Sequence, residues 1–272
     1  MGFPGSVLLT DEKVQETTTD KRFPFGTRGY TRDGRSFRYS RNGATALKAG
    51  VPLQSAVPVA SEVLNRTGTT KLKANSSKIK IVTSGTGQFA TANAFADGYL
   101  YLLTSATAKG SAVYAQIKSQ STQSLTATGV VSIYFYPGGG LYSPTSVVGN
   151  TNAKVGVQRN PFDKVVVKPS GSLTALPLGV PVRLVAANAY FWMQTWGACP
   201  VRCDTVAVKI GTPVGVSTNT TARYIGINST KATSAASIAT WTAVSNIIAG
   251  LGVSMVVGVS GEYRMIFLKI AP

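Results

Sequence analysis

The sequence predicts an all-β protein, an antiparallel sandwich or barrel-like fold with an extended N-terminal arm and a basic hairpin. Turn-forming residues are abundant in the 272-residue chain, which holds 28 glycines and 13 prolines. Ser, Thr, Ala and Val are frequent while Glu is scarce, which favours strands over helices. Short apolar runs alternate with period two and are separated by Gly and Pro, as in sandwiches and barrels.

The N-terminal segment combines an acidic arm with a basic hairpin. Residues 1–20 are polar and rich in Thr, and we expect them to form an extended arm that becomes ordered only on a partner. From Lys21 to Arg41 seven basic residues accompany one acid, Asp33. Asp33-Gly34 predicts a two-residue type I′ turn, and the next residues alternate with period two. The segment therefore predicts a β-hairpin with one aromatic face and one basic face.

This hairpin has two interpretations. It is a docking element for an acidic partner, or it is an ordinary edge hairpin whose arginines are solvated as a defence against strand pairing. On the docking interpretation the contact residues are Arg28, Arg32, Arg35, Phe37, Arg38, Tyr39 and Arg41.

Strands are predicted throughout the rest of the chain. We divide it into the arm and hairpin (1–68), a β-rich domain (69–145) and a C-terminal β-rich domain (146–272), the last two alternatively forming one continuous β unit. A soft boundary falls at Gly138–Asn150, where Gly, Ser and Asn prevail. The predicted strands are Ile79–Thr83, Tyr99–Leu103, Val113–Ile117, Val130–Tyr136, Val155–Gln158, Lys164–Lys168, Val182–Ala186, Tyr190–Trp196, Thr205–Ile210, Arg223–Ile227, Val253–Val259 and Tyr263–Ile270.

The segment Tyr190–Trp196 is the densest aromatic cluster. Alternation places Tyr190, Trp192 and Trp196 on one face of the strand. The favoured interpretation is a core strand or oligomer interface, and the alternative is an exposed stacking platform for sugars or bases.

The charge balance indicates an acidic partner. The formal net charge is +17 with only ten acidic residues. Net charge describes association rather than the identity of the partner, so nucleic acid is one candidate and an acidic protein surface is another.

The residue inventory argues against an enzyme. The chain has no His, which removes the usual general base, the Ser-His and Cys-His pairs and the commonest metal ligand. Cys199 and Cys203 are expected to be free thiols, with a strained disulfide as the alternative. No cofactor and no metal are therefore expected.

No membrane partner is expected either. The apolar run Val244–Val259 is interrupted by polar residues and glycines, and it is shorter than a membrane span. The N-terminal sequence lacks the basic region of a signal peptide, so synthesis in the cytosol is expected.

Two sequence blocks resemble a known group of proteins. The first is Asp33–Tyr39 with Gly43–Leu47, Gly50 and Leu53-Gln54; the second is Ala189–Gly197 with Gly211, Val214 and Ile225-Gly226. Both are similar to a pattern in tailed-phage virion proteins, while residues 55–180 depart from it. The resemblance implies a β-rich capsid decoration or cement protein, commonly a trimer, whose partner is the major capsid protein. It also implies a virion location after synthesis in the host cytoplasm.

Three hypotheses follow. The favoured one is a structural virion protein that binds the capsid surface as a decoration or cement protein and stabilises the head. The alternatives are a tail or head-fibre module that binds glycans through Trp192 and Trp196, and a basic nucleic-acid-binding protein that uses the hairpin.

Overall fold

The structure is a computed structural model of the chain. It describes residues 5–58, 66–67, 77–83, 89, 91–102, 114–122, 129–136, 154–169, 173–203, 210–211, 213–216, 225–227, 250–257 and 262–272. Within these ranges the chain forms one short helix, α1 (Asp11–Gln15), and 18 strands. The strands are β1 (Ser6–Leu8), β2 (Thr17–Thr18), β3 (Arg28–Tyr30), β4 (Ser36–Arg41), β5 (Leu53–Gln54), β6 (Arg66–Thr67), β7 (Lys78–Thr83), β8 (Tyr99–Leu102), β9 (Tyr114–Gln120), β10 (Gly129–Phe135), β11 (Lys154–Gln158), β12 (Val166–Val167), β13 (Pro177–Pro181), β14 (Tyr190–Arg202), β15 (Pro213–Val216), β16 (Ile225–Ile227), β17 (Gly250–Ser254) and β18 (Tyr263–Lys269).

The all-β prediction is confirmed, with open, sandwich-like antiparallel sheets rather than a closed barrel. The chain divides into two compact units: unit 1 comprises residues 1–57 and 161–272, and unit 2 comprises residues 58–160. This division differs from the sequential one expected from the sequence. The physical reason is that β4 pairs with β14, and β5 pairs with β12 and β13, so that N-terminal strands join strands from beyond residue 160 and make unit 1 discontinuous. The expected boundary near residues 138–150 lies outside the described residues.

Unit 1 is organised around β14. Its main sheet has the strand order β1-β3-β4-β14-β18-β17-β15-β16, and β2, β5, β12 and β13 pair beside this path. The first part of β14 is antiparallel to β4, and its second part is antiparallel to β18. Because β14 is rich in aromatic and apolar residues, it can be buried on both faces along its first half.

Separate hydrophobic clusters cover the faces of this sheet. Leu9, Val14, Phe37, Tyr39 and Trp192 form one cluster. A second cluster contains Phe191 and Met193 of β14 with buried residues of the segment around β5, β12 and β13. A third joins the second half of β14 to β15, β17 and β18.

Unit 2 contains one six-stranded sheet in the order β6-β11-β8-β9-β10-β7. Its strands alternate buried and exposed side chains; in β10, Val131, Ile133 and Phe135 are buried while Val130 and Tyr134 are exposed. The buried hydrophobic side chains in the described part of this unit form one cluster. This is the period-two pattern expected of strands with one core-facing side.

The N-terminal arm is part of unit 1. Strand β1 runs parallel to β3, β2 pairs with β14, and Val14 of α1 is buried. The Thr10 hydroxyl caps α1 by accepting a hydrogen bond from the Lys13 amide at 3.3 Å. Residues 5–20 thus pack on their own chain, in contrast to the expectation that the arm requires a partner, because Leu9 and Val14 supply apolar anchors between the polar residues.

Most predicted strands are present within one to three residues. One exception is Val182–Ala186, where the chain forms only an isolated bridge between Leu47 and Val185. The neighbouring strand β13 instead begins and ends at prolines, which are tolerated at strand ends. In addition, β14 continues to Arg202, well beyond the predicted end at Trp196, and β17 ends at Ser254, before the predicted end at Val259. The predicted strand at Thr205–Ile210 lies almost wholly outside the described residues.

Candidate functional site

The predicted hairpin is formed by β3 and β4, but its turn differs from the expected type. The Thr31 amide donates to the Arg35 carbonyl at 3.0 Å, and the Gly34 amide donates to the Thr31 carbonyl at 3.0 Å, which defines a three-residue loop. In this loop only Gly34 has a positive φ, of 84°. A type I′ turn needs positive φ at both central residues, so the two-residue turn prediction is wrong. The Thr31 hydroxyl donates to the Asp33 carboxylate, which stabilises this loop and lowers the pKa of Asp33.

Arg35 binds acids of its own chain. Its Nη2 donates to Asp11 Oδ1 at 2.7 Å, and its Nε donates to Asp33 Oδ2 at 2.6 Å. The guanidinium also lies 5.7 Å from the centroid of the Phe37 ring. Arg35 therefore joins α1 to the hairpin instead of projecting freely from it.

Arg38 and Arg41 are also used within unit 1. Arg38 donates to the Gly26 carbonyl at 3.3 Å and to the Pro272 carbonyl at 3.2 Å. Arg41 Nε donates to Asp163 Oδ1 at 2.6 Å, and the Asp163 side chain is only 6% exposed. These two arginines therefore hold distant parts of the chain together.

The aromatic candidates of the hairpin are buried. Phe37 is fully buried, and Tyr39 lies edge-on to Trp192 with ring centroids 5.1 Å apart. The Tyr39 hydroxyl accepts a hydrogen bond from the Arg22 amide at 3.0 Å. Neither ring is presented to a partner.

The structure separates the aromatic residues of β14. Trp192 is buried against Tyr39 and Phe23, whereas Tyr190 is half-buried. A β-bulge between Gln194 and Trp196 shifts the register, so that Trp196 lies opposite Ser36 while Gln194 lies opposite Phe37. Trp196 is therefore on the other face, which corrects the alternation predicted from the sequence. It is half-buried and packs edge-on against Phe267, with ring centroids 5.6 Å apart.

Two of the predicted contact arginines remain at the surface. Arg28 and Arg32 are exposed, and within the described residues no hydrogen bond or ion pair involves their side chains. Arg28 lies on β3 directly opposite Ser6 of β1. The neighbouring register pair, Leu8 and Tyr30, is exposed by 52% and 40% respectively. Cationic and apolar side chains therefore lie together at one end of the sheet.

We define the β1 edge by Ser6, Leu8, Arg28 and Tyr30, with Arg32 in the adjoining loop. Strand β1 is the last strand of the sheet path, and among the described residues its one strand partner is β3. The sequence pattern around Ser6–Leu9 is apolar enough to have suggested a strand, but its parallel pairing with β3 has no local signal. Sequence reasoning consequently placed Arg28 correctly at the surface and missed β1 beside it.

A cleft of about 200 Å³ lies on the other face of the same region. Its apolar lining includes Val7, Leu9, Phe23, Tyr39 and Trp192. At its mouth Glu16 is shared by two cations, Lys13 at 2.8 Å and Arg22. The hydrogen bond from Lys13 is the main cause that lowers the pKa of Glu16.

The two cysteines are free and buried. Burial raises the pKa of Cys199 to about 12 and that of Cys203 to about 11, so both thiols are protonated and poorly nucleophilic near neutral pH. In the part of the chain that the structure describes, no group of three or more His, Cys, Asp or Glu residues is arranged to hold a metal ion.

Comparison of the chain with protein-family models, curated proteins and solved structures gave no match. Among the described residues there is no helix of sufficient length and hydropathy to span a membrane.

Proposed function

We propose that this protein is a structural component of a bacteriophage virion, and that it binds the capsid surface as a decoration or cement protein. One observation carries the proposal. The two sequence blocks that resemble tailed-phage virion proteins are about 150 residues apart in the chain, yet they form neighbouring strands, β4 and β14, with Tyr39 opposite Trp192. Most of the divergent middle of the sequence belongs to unit 2. The resemblance therefore corresponds to one structural unit rather than to scattered positions.

The surface supports a protein partner better than a glycan or a nucleic acid. Trp192, a main residue of the glycan hypothesis, is buried. Arg35 and Arg41 form ion pairs with carboxylates of the same chain, which reduces the number of hairpin cations that phosphates could reach. At the β1 edge exposed apolar residues adjoin Arg28 and Arg32, a mixture typical of protein interfaces. Many weak copies of such a contact on a regular shell give strong overall attachment through avidity.

In this proposal the major capsid protein is the partner, and a trimer is the favoured oligomer, which would present three β1 edges. The protein would act in the virion after synthesis in the host cytoplasm. It would need no cofactor and would catalyse no reaction.

The test is binding of the purified protein to phage heads assembled without it, followed by cryo-electron microscopy. The expected result is added density at regularly repeated shell positions. Density confined to the tail, or binding only to DNA with a steep loss as salt is raised, would contradict the proposal. The matched variants are Arg28→Glu with Arg32→Glu, which should weaken head binding, and Lys118→Glu on β9 as a charge-reversal control in unit 2.

Removal of residues 1–41 is unsuitable for this test. It would delete β4, the partner strand of β14, and remove the buried residues that cover Trp192. Loss of binding would then report unfolding rather than loss of a contact.

A further inference from the structure

We propose that the β1 edge binds an extended acidic segment of the partner protein by strand addition. This inference rests on the proposed function in one respect, that the partner is a capsid protein. The mode of binding and the chemistry of the segment follow from the edge itself.

The hydrogen-bonding groups of β1 leave one side of the strand available. The Leu9 amide donates to the Tyr30 carbonyl at 2.8 Å, and β1 runs parallel to β3 with Val7 opposite Gly29. Backbone groups of successive residues in a strand point to opposite sides, so those of Val7 and Leu9 face β3. The N–H and C=O groups of Ser6 and Leu8 consequently point away from the sheet, where β1 has no other strand neighbour among the described residues.

The side chains on one face of the β1 edge favour an acidic residue in the strand that binds there. Arg28 lies opposite Ser6, and both are exposed. Because Ser6 is small, the long side chain of Arg28 can reach over it to a strand placed outside β1. A carboxylate opposite Ser6 would pair with Arg28, whose side chain makes no ion pair with any described residue.

The next pair of side chains on the same face of the β1 edge favours an apolar residue in the added strand. Leu8 is 52% exposed and Tyr30, its register partner, is 40% exposed. Residues that face Ser6 and Leu8 on an added strand are two positions apart. The recognised segment therefore carries an acidic and an apolar residue at positions i and i+2, in either direction.

The intervening residue of the added strand points to the opposite face, where the cleft opens. Val7 and Leu9 line that cleft, whose floor contains Trp192. Among the residues that line the cleft, Lys13 and Arg22 share one carboxylate, that of Glu16, so this lining carries more positive than negative charge. An apolar side chain at position i+1 of the added strand would pack into the cleft. Acidic residues on either side of it would pair with the cations at the mouth of the cleft.

Charge complementarity therefore selects this occupant over a second copy of the chain. The N-terminal segments that two copies would bring together at β1 both carry exposed Arg28 and Arg32. Like charges placed together in this way oppose such a pairing.

The experiment is a titration of the full-length protein with an acetylated, amidated peptide whose central sequence is Glu-Val-Val-Val-Glu. This sequence offers an acidic and an apolar residue two positions apart in both directions. The control peptides are Lys-Val-Val-Val-Lys and the acidic peptide with methylated backbone nitrogens, which cannot complete a strand ladder. Affinity is measured by fluorescence anisotropy, and amide hydrogen exchange of residues 6–9 is followed by nuclear magnetic resonance.

The expected result is saturable binding of the acidic peptide only, with slower exchange at Ser6 and Leu8 than in the free protein. Val7 should change little, because its amide already faces β3. Arg28→Glu should weaken binding of the acidic peptide by about tenfold or more and allow the Lys peptide to bind. Leu8→Lys should also weaken binding, since a charged edge opposes strand addition, while Lys118→Glu should leave binding unchanged.

Equal binding of the methylated peptide, or protection without the alternation between Ser6 and Val7, would overturn strand addition. Self-association of the free protein that protects Ser6 and Leu8 would show that a second copy occupies the edge and would also overturn it. Head binding without peptide binding would refute this inference alone. Peptide binding without head binding would refute the capsid function alone.

Discussion

Asp163 forms an ion pair with Arg41 at a largely buried position. The Arg41 Nε to Asp163 Oδ1 distance is 2.6 Å, and the two side chains are 28% and 6% exposed. Removal of one partner leaves the other charge poorly solvated, which costs more than loss of an exposed pair.

We therefore predict that Asp163→Ala lowers the free energy of unfolding by about 1–3 kcal/mol. The matched control is Lys13→Ala, which breaks a pair at 2.8 Å whose lysine side chain is 58% exposed and should cost less than about 1 kcal/mol. Urea denaturation measures both variants. Equal effects would show that the Arg41–Asp163 pair contributes no more than a surface pair.

Gly29 is predicted to tolerate no side chain. A Cβ atom at this position would overlap the Leu9 side chain and lie 2.9 Å from Trp192 Cζ3. Gly29→Ala should therefore destabilise the protein by about 1–3 kcal/mol. Gly5→Ala, where a Cβ would meet nothing within 4 Å, should be neutral in the same thermal unfolding assay. A neutral Gly29→Ala would mean that Leu9 does not pack on β3.

The buried Cys199 thiol makes the stability of the folded protein decrease at alkaline pH. Its pKa is raised by burial from an ordinary value of 9.0 to about 12 in the folded protein. As pH rises, the thiol therefore loses its proton in the unfolded chain before it does so in the folded protein. The contribution of Cys199 to the free energy of unfolding is complete below pH 9 and declines between about pH 9 and pH 12. We predict that Cys199→Ala flattens the fall in stability over this range relative to the wild type, as measured by urea denaturation at several pH values. An unchanged slope would contradict the burial of the thiol.

At the scale of elements, β14 determines the organisation of unit 1. It pairs with β4 along its first half and with β18 along its second half, and the bulge at Gln194–Trp196 marks the change. The same strand therefore contributes to separate hydrophobic clusters, with Trp192 in one and Cys199 in another.

The different environments of the two tryptophans on β14 give a direct prediction. Trp192→Ala should cost about 3–5 kcal/mol because it opens a cavity in a buried cluster. Trp196→Ala should cost clearly less, because this ring is half-buried and contacts Phe267 from the opposite face. Chemical denaturation of both variants measures the difference. Equal stability losses would contradict the assignment of the two rings to different faces.

Local sequence signals were sufficient for most strands and insufficient for their arrangement. Period-two alternation located strands such as β7 and β10 because each has one buried face. Alternation could not reveal the bulge before Trp196, since a bulge depends on the partner strands. The surface position of Arg28 was correctly expected, but the internal ion pair of Arg41 could not be foreseen because Asp163 is 122 residues away.

At the scale of the whole molecule, unit 2 is inserted between the two parts of unit 1. Each unit has its own sheet and its own buried clusters. We predict that replacement of residues 58–160 by a short Gly-Ser linker leaves a folded unit 1, and that residues 58–160 fold when expressed alone. Circular dichroism and heteronuclear magnetic resonance spectra measure both fragments.

The control is a chain that ends at residue 160. It retains β1–β5 but lacks β14 and β18, so its N-terminal 57 residues should be unfolded while unit 2 remains folded. A folded N-terminal segment in this fragment would show that the hairpin does not need β14.

The discontinuity of unit 1 has a consequence for synthesis on the ribosome. Strand β4 is complete at Arg41, but its partner β14 is complete only at Arg202. At the usual rates of translation, on the order of ten seconds pass between the synthesis of β4 and the completion of β14. During this interval Phe37 and Tyr39 have no β14 to cover them, and unit 2 can fold first. In this period the apolar side chains of β4 are prone to aggregation, and a chaperone bound near the exit tunnel would cover them.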